Sequence, residues 1–456
     1  MQSVERACAL VILAAGQGTR MNSERPKVLH PIGGAPLVVH AMDAGAALAP
    51  ERTVVVVGHG GAEVETAVLA HDETAVCVTQ EQQLGTGHAV LQAAPALEGF
   101  EGDVIVLYGD TPFISEDTLA RMLAARATHD IVVLGFNAAA PGRYGRLVME
   151  GDRLARIVEA KDAGPEELAI TLCNSGLMAA DAATLMGLLA EVGNDNASGE
   201  YYLTDVPAIA ATRGLTATAV TCDEAETLGI NTRAELAGAE ALFQARKRAE
   251  ALDNGVTLVA PDTVFFAHDT FIGRDVVVEP NVVFGPGVTV ENDAQIRAFS
   301  HLEGCHVGAR AVVGPYARLR PGAELGNDAR IGNFVEVKAA EIGEGAKVNH
   351  LSYIGDAEIG EGSNIGAGTI TCNYDGVFKH RTTVGRDVFI GSNTMLVAPV
   401  TVGDGAMTAT GTVVTRDVAP GAMAVGRTRQ ENKAGFATRL FEKLRARKAD
   451  KTKGAS

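Results

Sequence analysis

The second half of the chain repeats an apolar residue about every six positions, and this period restricts the fold more than any other feature of the sequence. The repeat begins near Val256, and a glycine often follows the apolar residue, as in Ile331-Gly332. Each repeat is expected to form one short strand that turns a single side chain onto a stacked core, with a tight corner before the next strand. The residues in this register are Ile272, Val278, Phe284, Val290, Ile296, Val307, Val313, Leu319, Leu325, Ile331, Val337, Ile342, Val348, Ile354, Ile359, Ile365, Val384, Ile390, Leu396 and Val402. The period predicts an all-β solenoid of parallel strands.

The register breaks between Ile370 and Thr383, where residues 371–376 read TCNYDG. An insertion at this point must leave the solenoid as a loop. Because loops on repeat scaffolds commonly carry the binding residues, we expect this loop to contribute to a site.

The first half alternates apolar strand-like runs with helical patterns. The strand-like runs lie at 7–14, 53–57, 104–107 and 131–136, and helical patterns include 37–48 and 117–127. This alternation predicts a mainly parallel sheet covered on both faces, that is, an α/β domain of Rossmann-like type. Since ligands bind beyond the carboxyl ends of such strands, we expect function in the loops that follow them.

A change of pattern near Asn231 separates the two halves. Thr232 and Glu235 form a capping-box motif, which predicts the start of a helix. We therefore expect an N-terminal domain over 1–231, a helical linker over 232–255 and a β-helix domain over 256–430. The remaining residues, 431–456, carry eight Lys and Arg against three Asp and Glu, and we expect a basic, mobile tail.

The composition excludes several classes of function. A net charge of −17 over 456 residues argues against nucleic acid as a partner, because binding to the phosphate backbone needs clustered Lys and Arg. The six cysteines lie far apart without a CxxC pair, which is typical of reduced thiols in a cytoplasmic protein. No apolar run approaches the roughly 20 residues that cross a bilayer, so we expect no membrane insertion.

Small residues and two cations follow the first predicted strand. The chain reads LAAGQG from Leu13, with Arg20 and Lys27 close behind. Backbone N–H groups in such a loop can close on phosphate oxygens, and the start of a following helix favours anions. The glycines alone fit a tight strand–helix turn equally well. The two cations favour a triphosphate.

The first half resembles the sugar-1-phosphate nucleotidyltransferases in the motif LAAGQGTRM, followed by PKVLH and GAPL. The resemblance implies that Arg20 and Lys27 stabilise charge on the phosphates, and that Asp110 and Asn231 hold Mg²⁺. Without the resemblance, Asp110 at the end of a buried strand would equally cap the next turn. The implied nucleotide and sugar contacts are Leu13, Ala14, Ala15, Gly16, Lys27, Gln80, Gly85, Thr86, Tyr108, Gly109, Asp110, Gly145, Glu159, Asn174 and Asn231.

The second half resembles the acetyltransferase half of the bifunctional N-acetylglucosamine-1-phosphate uridyltransferase/glucosamine-1-phosphate acetyltransferases. The match lies in RPG from Arg320, NFVEVK from Asn333, NHLSY from Asn349 and NIGAG from Asn364. The resemblance makes the solenoid a left-handed β-helix, although right-handed crossovers are the general rule. It implies sugar-phosphate contacts at Arg320, Lys338, Tyr353 and Asn364, and acetyl-CoA contacts at Ala367, Asn373, Tyr374, Ser392, Thr410 and Arg427.

His350 is the candidate general base of this half. Transfer from a thioester needs an amine that sheds a proton as the carbonyl is attacked, and imidazole titrates in the useful range. We expect Glu336 to orient the ring and Ser392 to stabilise the oxyanion. Cys372 would suggest a covalent acyl-thiol, but direct transfer is simpler. Thr410 stands where the family usually has alanine, which leaves the affinity for CoA in question unless the contact there is through the backbone.

The two resemblances together imply one bifunctional enzyme. We expect acetyl transfer from acetyl-CoA to glucosamine-1-phosphate, then uridylyl transfer from UTP, giving UDP-N-acetylglucosamine and pyrophosphate for cell-wall and lipopolysaccharide precursors. The family also implies a homotrimer whose acetyl site is shared between neighbouring β-helices.

Two alternatives to a bifunctional enzyme remain on the sequence. One is a nucleotidyltransferase whose β-helix only assembles or regulates, and the residues around His350 argue against it. The other is a non-catalytic regulatory protein of similar architecture, and the set Arg20, Lys27 and Asp110 argues against that.

Overall fold

The computed structural model describes residues 6–453, with side chains as far as residue 449. These residues form two compact units. The first unit runs to Asp253 and includes two short later segments, Phe265–Thr270 and Phe284–Gly287. The second unit contains the rest of the chain from Asn254 onward.

The first unit is built on a nine-stranded, mainly parallel sheet. Its strands and a separate two-stranded pair are β1 Cys8–Ala14, β2 Pro31–Ile32, β3 Ala35–Pro36, β4 Arg52–Val57, β5 Val76–Thr79, β6 Asp103–Tyr108, β7 Ile131–Asn137, β8 Arg146–Glu150, β9 Arg153–Val158, β10 Leu172–Asp181 and β11 Ala217–Cys222. The order along the sheet is β11-β7-β10-β6-β1-β4-β5, in which β10 runs antiparallel to both neighbours. Strands β8 and β9 form a hairpin beside β10, and β2 pairs with β3.

Helices cover both faces of this sheet. They are α1 Leu37–Ala46, α2 Gly61–His71, α3 Thr86–Leu91, α4 Glu116–Ala125, α5 Pro165–Leu168, α6 Ala182–Leu189, α7 Val206–Thr212 and α8 Arg233–Asp253. The side chains of β1 alternate between two cores, with Leu10 and Ile12 in one and Val11 and Leu13 in the other. A central strand buried on both faces explains its continuous apolar sequence. The predicted α/β fold is confirmed.

Helix α8 begins with the reciprocal cap that the sequence predicts. The Thr232 hydroxyl accepts a hydrogen bond from the Glu235 N–H at 3.2 Å, and the Glu235 carboxylate accepts one from the Thr232 N–H at 2.9 Å. These bonds satisfy donors that the first turn of a helix leaves without partners. One apolar side of the helix, with Ala239 and Phe243, packs in a cluster that includes Ile32.

The second unit is a β-helix of parallel strands. Its strands are β12 Thr257–Leu258, β13 Phe271–Ile272, β14 Val277–Val278, β15 Val283–Phe284, β16 Val288–Val290, β17 Gln295–Ile296, β18 His301–Leu302, β19 Cys305–Val307, β20 Val312–Val313, β21 Arg318–Leu319, β22 Ala323–Leu325, β23 Arg330–Asn333, β24 Glu336–Ile342, β25 Lys347–His350, β26 Tyr353–Ile359, β27 Asn364–Ile365, β28 Ile370–Cys372, β29 Thr382–Val384, β30 Phe389–Ile390, β31 Met395–Val397, β32 Val400–Val402, β33 Met407–Thr408, β34 Val413–Val414 and β35 Met423–Ala424. They form one ten-stranded and one fourteen-stranded sheet. In the second sheet β24 pairs with both β21 and β22, so it continues around a corner.

The residues of the six-residue register point into the β-helix. Apart from half-buried Ile272, every one of them is at most 2% exposed. Strands one coil apart pair in register, so these side chains form columns. One column contains Val313, Ile331 and Val348. The predicted hexapeptide solenoid is therefore confirmed.

Several corners of the β-helix hold a non-glycine residue in the left-handed backbone region. Phe299, Tyr316, Phe334 and Leu351 have φ angles of 60°, 56°, 56° and 51°. The three aromatic rings stack outside the coils, with centroids 5.0 Å and 5.2 Å apart. Such backbone angles cost free energy in a residue with a bulky side chain. They persist because the hydrogen-bonded strands on either side fix the corner.

Two segments depart from the solenoid. Between β28 and β29 the chain leaves the coils as a loop over residues 373–381, which is the predicted position of the insertion. The C-terminal tail contains α9 Phe436–Lys453, a helix that the sequence analysis did not predict. Within residues 6–453, no helix combines the length and the apolar character that crossing a bilayer requires.

Candidate active sites

A cavity of about 320 Å³ opens at the carboxyl edge of the sheet in the first unit, beyond β1 and β6. Its walls are Leu13, Ala14, Ala15, Gly16, Lys27, Val28, Gln80, Gln83, Gly85, Thr86, Ala89, Tyr108, Asp110 and Glu200. Ten of these are residues for which the sequence predicts nucleotide contacts. This edge of the sheet is where parallel α/β folds bind ligands.

Glutamine side chains fix the backbone around the cavity by hydrogen bonds to carbonyl groups. Gln83 donates a hydrogen bond to the Ala15 carbonyl at 2.6 Å, and buried Gln80 donates one to the Gly85 carbonyl at 3.1 Å. Gly85 has a φ of 113°, and a Cβ there would lie 2.6 Å from the Tyr201 carbonyl oxygen. Only glycine fits this position, so the wall of the cavity at Gly85 has a fixed shape.

The conformation of the chain after Gly18 differs from the one that the sequence predicts. We expected a helix start there, and the structure has a single 3₁₀ turn, Thr19–Met21, followed by another at Lys27–Leu29. A Cβ at Gly18 would lie 2.5 Å from the Lys27 Cβ, so this glycine lets the two turns pack together. The close approach brings Lys27 to the cavity.

Two cations and two oxygen ligands meet at one end of the cavity. Lys27 Nζ contacts an Asp110 carboxylate oxygen and also donates to the Asn231 amide oxygen at 3.0 Å. The same amide oxygen accepts a hydrogen bond from the Arg20 guanidinium at 2.8 Å. Residues 20 and 231 are far apart in sequence, and the fold brings together all four side chains that the sequence singles out here.

Backbone contacts explain how Asp110 and Asn231 reach each other. The Gly109 N–H bonds to the Leu13 carbonyl at 3.0 Å, which fixes the end of β6 beside the phosphate loop. The Ile230 N–H bonds to the Asp110 carbonyl at 3.0 Å. Glu235, one turn into α8, accepts the Asn231 N–H at 2.7 Å. The capped helix start therefore sets the position of Asn231.

The side-chain oxygens of Asp110 and Asn231 are a suitable pair of ligands for magnesium. Among the described residues, no group of three or more His, Cys, Asp or Glu side chains is arranged to hold a metal ion. Asp110 and Asn231 instead offer one carboxylate and one amide oxygen, both in contact with Lys27 Nζ. Mg²⁺ commonly accepts one or two such protein ligands and completes its shell with phosphate oxygens and water. These residues fit that chemistry.

A second group of predicted residues gathers at the sugar end. A Cβ at Gly145 would lie 3.4 Å from a Glu159 carboxylate oxygen and 3.6 Å from the Asn174 Cβ. Burial raises the pKa of Glu159, and the Thr204 hydroxyl donates to this carboxylate at 3.2 Å. Desolvation, with Asp110 and Glu159 nearby, raises the pKa of Tyr108. Tyr108 is thus a neutral hydrogen-bonding group near Asp110 and Glu159.

Some residues of this site were not found in the sequence analysis. Val28, Gln83, Ala89 and Glu200 line the cavity, and of these Gln83 has a clear part in shaping it. Gln83 lies three residues from predicted Gln80, and no motif marks it. The cavity walls do not include six of the predicted residues, which are Arg20, Gly109, Gly145, Glu159, Asn174 and Asn231.

In the second unit, the imidazole of His350 points its Nδ1 at Asn333. The distance from Nδ1 to the Asn333 amide oxygen is 2.7 Å, and both residues lie in register on β25 and β23. An amide oxygen only accepts hydrogen bonds, so this contact requires the proton on Nδ1, and in the neutral ring the lone pair then lies on Nε2. We expected Glu336 to hold this ring. Within this chain Glu336 instead accepts from Arg320 at 2.8 Å.

Two lysines and the hydroxyl group of Tyr353 form a second cluster of polar groups on the β-helix. Lys338 lies beside Gly355 in the ladder of β24 and β26, and a Cβ at Gly355 would lie 2.3 Å from the Tyr353 hydroxyl. The missing side chain lets Tyr353 fold back toward Lys338. Lys379, which the sequence analysis did not single out, lies beside Lys338, and the proximity of the Lys338 amine lowers the pKa of Lys379. Two adjacent amines are suited to a phosphate group.

The inserted loop is anchored through Asn373. This buried side chain contacts an Asp356 carboxylate oxygen, and its amide nitrogen lies 3.4 Å from the Tyr353 hydroxyl. The next residue, Tyr374, is 61% exposed. The loop therefore presents Tyr374 beside the cluster of Tyr353, Lys338 and Lys379.

The remaining residues predicted to bind acetyl-CoA follow successive coils. The Asn393 N–H bonds to the Ala367 carbonyl at 2.7 Å, and a Cβ at Gly366 would lie 2.5 Å from the Ser392 nitrogen. Arg427 donates to the Thr410 carbonyl at 2.6 Å. Asn364, the remaining predicted sugar-phosphate contact, lies on β27 next to the strand of His350.

Cys372 lies at the base of the loop as a thiol with a raised pKa. All six cysteines are free. Burial raises the pKa of Cys372, which disfavours the thiolate that a covalent acyl-thiol needs. The geometry favours direct transfer.

Comparisons with known proteins match both units. The model of the MobA-like NTP transferase domain matches residues 10–187, and the model of the bacterial transferase hexapeptide (six repeats) matches residues 269–304, 304–339 and 381–416. A protein of Jannaschia sp. named Bifunctional protein GlmU is 66% identical over 453 residues, covering 99% of this chain and 100% of the relative. A protein of the same name from Ruegeria pomeroyi is 72% identical over 445 residues, covering 98% and 99%. Among solved structures, UDP-glucose pyrophosphorylase complexed with UDP-glucose aligns at 21% identity and a TM-score of 0.44, over 53% of this chain and 99% of that one.

Proposed function

Because this chain belongs to the GlmU family of bifunctional proteins, we propose a specific role for each of the residues gathered in its two units. The chain is a bifunctional transferase with uridylyltransferase and acetyltransferase activities. The observation that carries the residue assignments is the separation of two anion sites. In the first unit Lys27 contacts Asp110 and Asn231, and Arg20 bonds to Asn231. The second unit has its own cations, Arg320, Lys338 and Lys379, and carries His350 on β25.

Uridylyl transfer is proposed to occur at the cavity of the first unit, in a domain over 1–231. The attacking sugar phosphate is already ionised, so positioning and charge neutralisation supply the rate enhancement. The proposal places UTP along the phosphate loop, with Lys27 and Arg20 on its phosphates. Glu159 and Asn174 are proposed to hydrogen-bond the N-acetylglucosamine group of the second substrate.

We further propose that Asp110 and Asn231 hold Mg²⁺ when the nucleotide is bound. The ion would supply additional neutralisation of the triphosphate charge. Purified protein should make UDP-N-acetylglucosamine from glucosamine-1-phosphate, acetyl-CoA, UTP and Mg²⁺. Addition of EDTA should stop pyrophosphate release while CoA release continues, since the acetyl site contains no proposed metal ligand. Loss of both signals in EDTA would contradict the assignment, and restoration by added Mg²⁺ is the control.

Acetyl transfer is proposed to occur on the β-helix over 256–430. His350 Nε2 takes the proton from the amine of glucosamine-1-phosphate as the new C–N bond forms. The C–S bond of acetyl-CoA then breaks, and the proton held on Nε2 passes to the leaving sulfur, so that CoA departs as the thiol. Arg320, Lys338 and Lys379 are proposed to hold the sugar phosphate, with Tyr353 positioning the sugar ring.

We predict that Thr410→Ala will leave the KM for acetyl-CoA within about twofold of the wild-type value, a change below about 0.5 kcal/mol. The reason is that the Thr410 contact with Arg427 is made by the backbone carbonyl, which alanine retains. Steady-state kinetics with varied acetyl-CoA measure this directly, and Arg427→Ala should raise the same KM. A large increase for Thr410→Ala would show that the hydroxyl itself binds the donor.

The proposed assembly is a homotrimer located in the cytoplasm. Exposed Phe299, Tyr316 and Phe334 form a stacked apolar ridge along one corner of the β-helix, which supports association of the solenoids. Free thiols and nucleotide substrates are in keeping with the reducing cytoplasm. We propose no nucleic-acid partner. Sedimentation of the purified protein tests the trimer.

A further inference from the structure

We infer that Asp375 is a positioning residue for acetyl transfer, because it holds the inserted loop in the shape that receives acetyl-CoA. The inference rests on the proposed acetyl transfer and on the contacts with acetyl-CoA that the family resemblance implies for Asn373 and Tyr374 of this loop. It concerns a residue that does not itself contact the proposed substrates.

The carboxylate of Asp375 accepts several hydrogen bonds within the inserted loop. A single oxygen of Asp375 accepts hydrogen bonds from the Val377 N–H at 2.8 Å and from the Phe378 N–H at 2.7 Å. The other oxygen lies 2.7 Å from His380 Nε2. The Asp375 N–H bonds in turn to the Phe378 carbonyl at 3.2 Å. Asp375 thus fixes the turn at the tip and ties the outgoing arm to the returning arm.

Within this chain, packing does not provide an alternative source of order at the tip of the loop. Tyr374, Val377 and Phe378 are 61%, 73% and 67% exposed, although all three are apolar or aromatic. A segment with few buried contacts draws its order from hydrogen bonds. The conformational entropy lost on fixing these residues has to be balanced by the contacts of Asp375.

The base of the loop is fixed separately. Asn373 is buried against Asp356 and Tyr353, and its carbonyl accepts the His380 N–H at 2.8 Å. The base would therefore stay in place without Asp375, while the projecting part, with Tyr374, would lose its fixed shape. Because Asp375 accepts from His380 and two backbone N–H groups, its pKa is lowered to about 2, and the carboxylate stays ionised in any ordinary assay.

Loss of this order should weaken binding of the donor without slowing the chemical step. A disordered loop must be ordered when the ligand binds, which reduces the apparent affinity. We expect Asp375→Ala to raise the KM for acetyl-CoA by about tenfold and to leave kcat within about twofold. Asp375→Asn keeps the acceptor for the two backbone N–H groups and loses only the charge facing His380, so its KM should be intermediate. His380→Gln should resemble the asparagine variant.

Limited digestion with chymotrypsin gives a second readout. Cleavage after Phe378 should be faster in Asp375→Ala than in the wild type, and saturating CoA should slow it again. Asp404→Ala is the matched control, because Asp404 also caps a backbone N–H between coils, that of Arg386 at 2.8 Å, but lies outside the loop. It should change neither the KM nor the cleavage rate. Uridylyl transfer should be normal in every variant, because the substitutions lie outside the first unit. The unchanged KM of Asp404→Ala is the control for the β-helix.

The outcomes separate this inference from the proposed function. An unchanged KM for acetyl-CoA in Asp375→Ala, with acetyl transfer by the wild type intact, overturns the inference alone. A loss of kcat at constant KM also overturns it, since it would place Asp375 in the chemistry. Failure of the wild-type protein to transfer acetyl groups would overturn the proposed function itself.

Discussion

Replacing His350 with alanine should lower kcat for acetyl transfer by about 10²–10⁴-fold, the range that a positioned general base contributes. The bond from Nδ1 to Asn333 leaves Nε2 free to accept the proton of the attacking amine. Alanine removes that acceptor and leaves the amines that hold the sugar phosphate. The KM for glucosamine-1-phosphate should therefore change little. Release of CoA, followed with a thiol reagent, measures the effect.

The matched control for this variant is His306→Ala. His306 is another partly exposed imidazole of the β-helix, but it lies between Glu291 and Glu324 on a different face. Acetyl transfer by this control should be normal. Asn333→Ala should give an intermediate loss, because the ring keeps its nitrogen but loses its fixed orientation. Near-normal acetyl transfer in His350→Ala would refute the base assignment.

Replacing Lys27 with alanine should reduce kcat/KM for uridylyl transfer by about 10³-fold, since loss of one preorganised donor to developing charge costs roughly 10²–10³. The expected loss lies at the upper end of that range for two reasons. Lys27 carries a full charge, and its removal leaves Asp110 without its ion-pair partner. Pyrophosphate release measures the effect, and acetyl transfer by the same protein should be unchanged.

Arg25→Ala serves as the control for Lys27→Ala. It removes an exposed cation two residues away that does not line the cavity. Lys27→Arg should retain part of the activity, because it keeps the charge but presents a planar fork in place of a compact ammonium. Normal UTP turnover in Lys27→Ala would remove the cavity from consideration as the uridylyl site.

The fold was predictable wherever a period in the sequence reports directly on burial. Val313, Ile331 and Val348 recur in step and stack in one buried column. The capping box at Thr232 likewise gave the start of α8 within one residue. The helix α9 has no such signal, because its side chains as far as residue 449 are exposed and its sequence is rich in charged residues.

The sequence named residues that the structure brings together, but it did not predict most of their contacts. Arg20 and Asn231 were assigned from separate motifs, and the hydrogen bond between them follows from the fold. The pairing of His350 with Asn333 in place of Glu336 depends on which side chains share a coil register, and a motif does not encode that. Lys379 and Gln83 come from loops whose paths are set by tertiary contacts, so no local pattern marks them.

The contacts of Lys27 and Arg20 with Asp110 and Asn231 bear on the order in which ligands bind. Both ligand oxygens are already engaged by fixed positive charges, so a divalent ion arriving alone competes with them. Triphosphate oxygens give the two side chains an alternative acceptor and release the oxygens of Asp110 and Asn231 at the same time. Thermodynamic coupling is reciprocal, so each ligand then increases the affinity for the other. The free enzyme is accordingly suited to take up the nucleotide and its counter-ion together, as a preformed complex.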